Sequence, residues 1–496
     1  MNIKLKNIGV VKNSNIQLDG LTVITGDNSS GKTTVGKAIY SLIDAVSDIS
    51  TKVRRDKCDY IWKSLIRVRT SLNLVSAYYN YCFRRTKSLD SENNPINQSK
   101  IYLLLKEYSH ISILRRSRRY EQIMEFAADL KKELENFDTT DFILSNQYFD
   151  GFKKMYLKKL YLDEDNYQNA FDSEIQEAIF LLGKMFREIN SDPGDIDYTR
   201  SSINETLRVE FSEQIQPVKY NNVDSEITVY DNENKYFSIK ITNNNIEKDD
   251  KPFYSSGIDI KKAYFIDNPF VLDSPLFRKS IYPHDEEDIS SILNAEEILP
   301  HESKLNRVLK SNTLSSVYEK MIKETDNSII REKINQVLSG SFEFTDDGEF
   351  YVKDGKQLNI TNLATGSKMF AIIKLLIEKG EIDGTTLLVL DEPEAHLHPN
   401  WQNKFAEIIV LIVKELGTRV LLTSHSPNFV LAIDAYMRKY NAQNITNFYQ
   451  TNSIDGYFVE YKNVNDDIGL IYDDFAKNLA EMKALRDTYY YKGLGE

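Results

Sequence analysis

Hydrophobic and polar positions change period several times along the chain. The runs NIKLKN, NIQLD and LTVIT predict three strands of a β-meander within residues 1–25. Residues 35–215 are mostly helical in pattern, rich in Tyr and Lys and poor in glycine. They hold no sustained heptad that would build a long coiled coil. EITVYDNENKYFSIKITNN predicts a hairpin over 225–245 with its turn at DNEN. KAYFIDNPFVLD, over 262–273, reads as a buried strand ended by Pro269. Residues 280–340 are polar and helical again, and FEFTDDGEFYVKDGKQLNI predicts a second hairpin over about 342–360. The last section gives a helix from 366, the strand TLLVLD, a helix near 401–415, the strand RVLLTS and more helix. Strand–helix alternation predicts a parallel sheet covered on both faces.

Chemistry sits at the ends of these strands. After LTVIT comes GDNSSGKTT, which fills the pattern G-x-x-x-x-G-K-[ST] with Gly26, Gly31, Lys32 and Thr33. Its glycines let the backbone curl so that N–H groups converge on phosphate oxygens. Asn28, Ser29, Ser30 and Thr34 complete the candidate ATP-binding loop. Lys32 supplies a point charge for the outer phosphates, and Thr33 offers a hydroxyl to Mg²⁺. The helical run TVGKAIYSLI follows, so the phosphates would lie at a helix N-terminus.

The apolar run Leu387 to Leu390 ends in Asp391 and Glu392. A buried strand ending in two carboxylates presents them at the carboxyl edge of a sheet, where open α/β folds bind ligands. Asp391 suits the Mg²⁺ shell, and Glu392 suits orienting or deprotonating an attacking water. About thirty residues on, RVLLTSHS ends in Ser424 and His425, and that histidine can hydrogen-bond a γ-phosphate from a neighbouring strand end.

Composition narrows the setting. A chain of 496 residues has room for roughly two or three domains, and 41% hydrophobic residues suffice for sizeable cores. Cys58 and Cys82 are the only cysteines, so neither a disulfide framework nor a zinc spacing is present. MNIKLKNIGVV lacks the apolar stretch of a signal peptide, and no run reaches the ~18–20 residues of a membrane span. The expectation is a cytoplasmic protein without membrane contact. The net charge is −12, yet residues 51–160 carry 22 Lys and Arg against 13 Asp and Glu, a net of +9. Arg115, Arg116, Arg118 and Arg119 precede Tyr120, and Lys153, Lys154, Lys158 and Lys159 recur at helical spacing. This basic region suits nucleic acid or an acidic protein partner, and reads more simply as a solvated helix face or a surface that pairs with the acidic remainder.

P-loop, LDEP and TSHS, in that order around a long insertion, resemble an ABC-class ATPase. The wording LDEPEAHLHP is similar to the soluble branch holding RecF, SMC-type heads and the ATPase half of the OLD nucleases. The resemblance covers about residues 1–40 and 355–435. It implies an α/β fold, an ABC-ATPase head with a mixed sheet, flanking helices and an antiparallel β-subdomain, carrying a large helical insertion. The head would span 1–45 and 220–496 and the insertion 46–219. It also implies ATP and Mg²⁺, with Thr33 and Asp391 at the metal and Glu392 and His425 catalytic. Two heads would dimerise, each ATP lying between one P-loop and the partner's signature motif. Here that motif is Leu363, Ala364, Thr365, Gly366 and Ser367, with Ala364 where the family has serine, which implies slow hydrolysis. His396 and His398, with Glu394, could suggest a metal site, but the resemblance makes them the D-loop. The family's Q-loop has no match by motif; the turn at Asp267 and Asn268 is one candidate and Gln147 a weaker one.

The segment after His425 is too short for the Toprim nuclease of an OLD protein. The chain therefore resembles the stand-alone ATPases of bacterial anti-phage defence, such as PtuA-type ATPases of Septu and retron-Septu systems and AriA-type ATPases of PARIS. Those form homo-oligomers and control a separate effector nuclease of the HNH or Toprim kind. Two alternatives stay open: a RecF-like DNA-repair ATPase using the basic insertion, and an ATP-gated scaffold with little hydrolysis.

Overall fold

The computed structural model describes residues 1–83, 100–106, 119–140, 149–157, 167–191, 194–220, 223–231, 234–247, 258–274, 300–310, 328–345 and 348–492. Contacts divide the chain into two compact units. The first comprises Met1–Asp48 and the described parts of Thr199–Phe277 and Ile298–Glu496, and the second the described parts of Ile49–Tyr198.

The first unit is built on one eleven-stranded mixed sheet. Its strands are β1 (Asn2–Ile8), β2 (Val11–Gln17), β3 (Leu21–Thr25), β4 (Ser225–Asp231), β5 (Asn234–Thr242), β6 (Asn245–Ile246), β7 (Lys262–Ile266), β11 (Thr386–Asp391), β12 (Arg419–Ser424), β13 (Thr446–Ser453) and β14 (Val459–Asn463). A separate antiparallel sheet holds β8 (Ser341–Thr345), β9 (Gly348–Lys353) and β10 (Lys356–Asn359). In the large sheet the order is β6-β5-β4-β1-β2-β14-β13-β3-β12-β11-β7. The stretch from β13 to β7 is parallel throughout.

These parallel strands are apolar on both faces because helices cover both. Leu387 and Val389 of β11 join Val35, Ala38, Ile39 and Leu42 of the helix Lys32–Val46 on one face. Leu388 and Leu390 point the other way, into a core with the helices Thr365–Glu378, Pro399–Leu416 and Pro427–Lys439. The antiparallel strands instead alternate. Ile3, Leu5, Ile16, Ile227 and Val229 face inward while their neighbours meet solvent. Ile203, Leu207 and Ile215 belong to this same core.

The second unit is helical. Its core is a stripe on the helix Tyr167–Asn190, where Phe171, Ile175, Ala178, Leu182, Met185 and Ile189 recur every three or four residues. It packs with Cys58, Ile61, Trp62 and Leu65 of the helix Ile49–Ser71 and Ile123, Ala127, Leu130 and Leu134 of the helix Tyr120–Glu135. Glu174 accepts the orphan N–H groups of Leu74 and Val75 at the start of the helix Asn73–Phe83, at 2.7 and 3.0 Å.

Four sequence expectations are corrected. The first three strands are not a meander: β3 leaves β1 and β2 and lies between β13 and β12. Strand β7 ends at Ile266, and Pro269–Leu272 is a 3₁₀ turn whose N-cap Asn268 accepts from the Phe270 N–H. The segment 342–360 forms three strands, because Asp354 and Gly355, with φ of 51° and 72°, make a second tight turn. After β12 the chain adds β13 and β14 between helices, where only helix was expected.

Candidate ATP site

The P-loop leaves β3 and enters the helix Lys32–Val46. Gly31, its N-cap, takes φ 75°, and a Cβ there would sit 2.8 Å from Val10 Cγ2. A Cβ on Gly26 would lie 1.7 Å from Thr451 Oγ1 of β13. Gly36, one turn into the helix, lets it settle on Phe265 and Val389. The loop is thus pressed between β2 and β13, and the Tyr461 hydroxyl donates to the Ser30 carbonyl at 3.1 Å. Asp27, Asn28, Ser29 and Thr33 are exposed, whereas Ser30 and Lys32 are buried.

Lys32 folds back over its own loop. Its Nζ donates to the carbonyls of Gly26 (3.0 Å) and Asp27 (2.8 Å) and lies 3.5 Å from Glu392 Oε1. Thr33 Oγ1 donates to Asp391 Oδ2 at 2.6 Å, and Thr423 of β12 donates to the other oxygen of the same carboxylate. The register Asp391–Thr423 on parallel strands makes that pair inevitable once the sheet forms. Burial raises the Asp391 carboxyl above its ordinary range. The two hydroxyl bonds oppose that rise, while Glu392 and Asp267 add to it.

Glu392 has left-handed backbone, φ 49°, which is costly for a residue with a Cβ. Its N–H donates to the Thr423 carbonyl at 3.1 Å, so the strand turns sharply there. Its carboxylate then lies between Lys32 and His425, whose Nδ1 is 3.1 Å from Oε2. Glu394 is buried behind. Its Oε1 accepts from Ser424 Oγ at 2.5 Å and from the His425 N–H at 3.3 Å, and burial pushes its carboxyl up.

Asp391, Glu392, His425, Lys32 and Thr33 therefore converge at one sheet edge. The loop fits a triphosphate: it offers a buried ammonium held by two loop carbonyls and the Glu392 carboxylate, and a buried Ser30 Oγ without a partner. The Thr33–Asp391 pair offers two oxygens of the type that Mg²⁺ takes.

A match to a family settles the class. The AAA ATPase domain family, AAA_15, matches residues 1–430. The chain belongs to that family. It is an ATPase. The chain is also similar to the SMC head domain from Thermotoga maritima, at 10% identity over 93% of this chain and 98% of that one, with a TM-score of 0.34. It is similar to an SMC head bound to the C-terminal winged-helix domain of ScpA, at 11% identity, 95% and 98% coverage and a TM-score of 0.37. A third is the Smc head with an extended coiled coil from Pyrococcus furiosus, at 10% identity, 97% and 98% coverage and a TM-score of 0.31. No curated protein matches the sequence significantly.

The other candidates of this AAA ATPase fall elsewhere. Leu363 is buried and Ala364 is the N-cap of the helix Thr365–Glu378, without a side-chain bond. A Cβ on Gly366 would meet the His396 carbonyl at 3.1 Å, so this helix end packs on the loop after Glu392, and Ser367 lies one residue further into its first turn. His398 is the N-cap of the helix Pro399–Leu416, its Nδ1 accepting from the Asn400 N–H, and His396 stands edge-on to Phe270. Neither shares a metal cluster with Glu394 among the described residues. Asp267 lies one residue past the Ile266–Leu390 pairing, beside Asp391. Arg119 is exposed and donates to Gln122, and Lys153 lies 5.3 Å over the Tyr167 ring, with Lys154 exposed beside it. Arg115, Arg116, Arg118, Lys158, Lys159 and Gln147 lie outside the described residues. Sequence reasoning missed Thr423 and Thr451 and gave Glu394 no structural role. Their spacing to the motifs exists only after strands pair.

Proposed function

We propose that this ATPase binds Mg·ATP on Gly26–Thr34 and hydrolyses it slowly at a dimer interface. The observation that carries the reading is the chain Lys32–Glu392–His425 beside the Thr33–Asp391 pair. In this reading Lys32 leaves its loop carbonyls for the outer phosphates, and Thr33 and Asp391 hold Mg²⁺. Glu392 orients and deprotonates the attacking water, and His425 faces the γ-phosphate. A bound Mg²⁺ neutralises charge on the phosphates. The partner subunit would contribute its signature helix from Ala364 to Ser367, whose N-terminal dipole suits an anion. The first unit is then the ATPase head and the second an insertion within it.

The biological reading we favour is a cytoplasmic defence ATPase whose homo-oligomer restrains or triggers a separate HNH or Toprim nuclease. It is supported by the resemblance of the P-loop, LDEP and TSHS motifs to the stand-alone ATPases of such systems. Among the described residues no helix is long and apolar enough to cross a membrane. Ala364 favours the second reading, an ATP-gated scaffold.

The test compares wild type with Glu392→Gln. The expected result is a steady-state rate lower by roughly 10²–10⁴-fold, with ATP binding retained, and an ATP-dependent dimer in light scattering. An unchanged rate sinks the catalytic assignment. A wild-type rate already as low as the variant's selects the scaffold. Nucleic-acid cleavage by the chain alone excludes a separate nuclease, and salt-sensitive DNA affinity lost on neutralising Arg115, Arg116, Arg118 and Arg119 selects the RecF-like alternative.

A further inference from the structure

His301 opens the helix His301–Lys310 and is 7% exposed. Its two ring nitrogens face two different carboxylates. Nδ1 is 2.6 Å from Glu210 Oε2, and the other oxygen of Glu210 accepts the His301 backbone N–H at 2.8 Å. Nε2 is 3.1 Å from Asp267 Oδ1, yet the approach is off the line of a hydrogen bond, and this buried atom has no hydrogen-bond partner. The carboxylate of Glu302 completes a trio whose donor atoms all lie within 4.8 Å of one another.

We propose that His301 Nε2, Asp267 and Glu302 form a divalent-metal site of zinc type, separate from the Thr33–Asp391 pair. Two ligands of one ion converge on a third point and do not aim at each other. Tetrahedral zinc, with bonds near 2.0–2.2 Å, places neighbouring donors roughly 3.3 Å apart, close to the 3.1 Å between Nε2 and Oδ1. Imidazole with carboxylates is a zinc, manganese or cobalt ligand set. Glu210 is the outer partner that such a histidine commonly has: in the Nδ1–H tautomer it accepts the Nδ1–H hydrogen bond, which leaves the Nε2 lone pair for the metal. Edge contacts from Phe265 and Tyr40, at 4.6 and 6.0 Å between centroids, fix the ring's direction. A proton is the rival occupant. It would ask for a straight Nε2–H···Oδ1 line, which the side chains do not make.

The site stands one residue beyond β7, beside the strand that ends in Asp391. Its metal would tie the end of the helix Gly194–Glu210 and the start of the helix His301–Lys310 to the nucleotide edge of the sheet.

The experiment uses the full chain, stripped with chelator, free of nucleotide, and refilled with Zn²⁺ or Co²⁺. Wild type and Asp391→Asn are expected to retain one equivalent after desalting, with the intense visible bands of tetrahedral Co²⁺. His301→Ala should lose it. Glu302→Gln, an exposed change that keeps the fold, should bind at least about tenfold more weakly. Failure of wild type to retain metal overturns the proposal and leaves an imidazolium bridge. Retention by Glu302→Gln at wild-type affinity, or loss in Asp391→Asn, also overturns it.

Discussion

Glu392 is the residue at which chemistry and backbone cost meet. A left-handed φ of 49° is retained there because the turn carries the carboxylate off the end of β11 to a point between Lys32 and His425. Glu394, two residues on, does the supporting work by holding the Ser424 hydroxyl and the His425 N–H from below. The P-loop glycines are constrained just as locally. Gly26→Ala would drive a methyl into Thr451 Oγ1, 1.7 Å away, so we expect a loss of about 1–3 kcal/mol in thermal or denaturant unfolding. ATP affinity should fall with it, and a variant as stable as wild type would refute the contact. The loop, Asp391 and His425 were legible in the sequence because phosphate chemistry demands those residue types at short, fixed spacings. Thr451 was not, since it lies 425 positions from Gly26 and meets it only across the sheet.

Among the elements, the helix Thr365–Glu378 carries the clearest conflict between local rule and position. Its N-cap is alanine, which leaves the first N–H groups without a side-chain acceptor. Ala364→Ser should stabilise the chain by ~0.5–2 kcal/mol. It should also raise ATP turnover if this helix end serves a partner's nucleotide, and a concentration-dependent ATPase assay reads that directly. The helix Pro399–Leu416 is tied to its neighbours through Glu407, which accepts from Lys439 (2.8 Å) and Tyr440 (2.7 Å) and pairs with Lys333 at 3.1 Å. Burial would raise this carboxyl, but those three partners hold it below the ordinary 4.5. Its contribution is therefore present above pH 4.5 and lost as pH falls through the depressed value. Glu407→Gln should be less stable than wild type at pH 7, with the gap closing as pH falls below 4.5 and through the depressed value, in melts followed across pH. Strands β13 and β14 escaped sequence reading for a physical reason. Thr446, Asn447 and Gln450 are buried polar residues, so the apolar period of a strand is missing. The Thr446 hydroxyl instead donates to the Ala442 carbonyl, and Asn447 accepts from Asn465.

For the whole molecule, the sheet order matters more than any single strand. Inserting β13 and β14 between β2 and β3 joins the antiparallel strands to the parallel ones in one continuous sheet. That order brings Thr451 and Tyr461 against the P-loop. The helical unit has its own core, centred on Tyr78, Phe152 and Phe171, and the basic excess of 51–160 belongs to its sequence. Of the eight basic side chains singled out there, three lie within the described residues, and Lys153 already spends its charge on Tyr167.

The nucleotide motifs and the parallel core can be read from the chain alone. Both are written in short-range patterns: a phosphate loop of nine residues, strands apolar at every position, and carboxylates at a strand's end. Which strands are neighbours, how Glu392 is turned toward Lys32, and that Glu210 and Asp267 both face His301 emerge only in the fold. Those facts depend on pairings between residues tens to hundreds of positions apart. No local period encodes such pairings, because they are set by which faces the whole chain can bury at once.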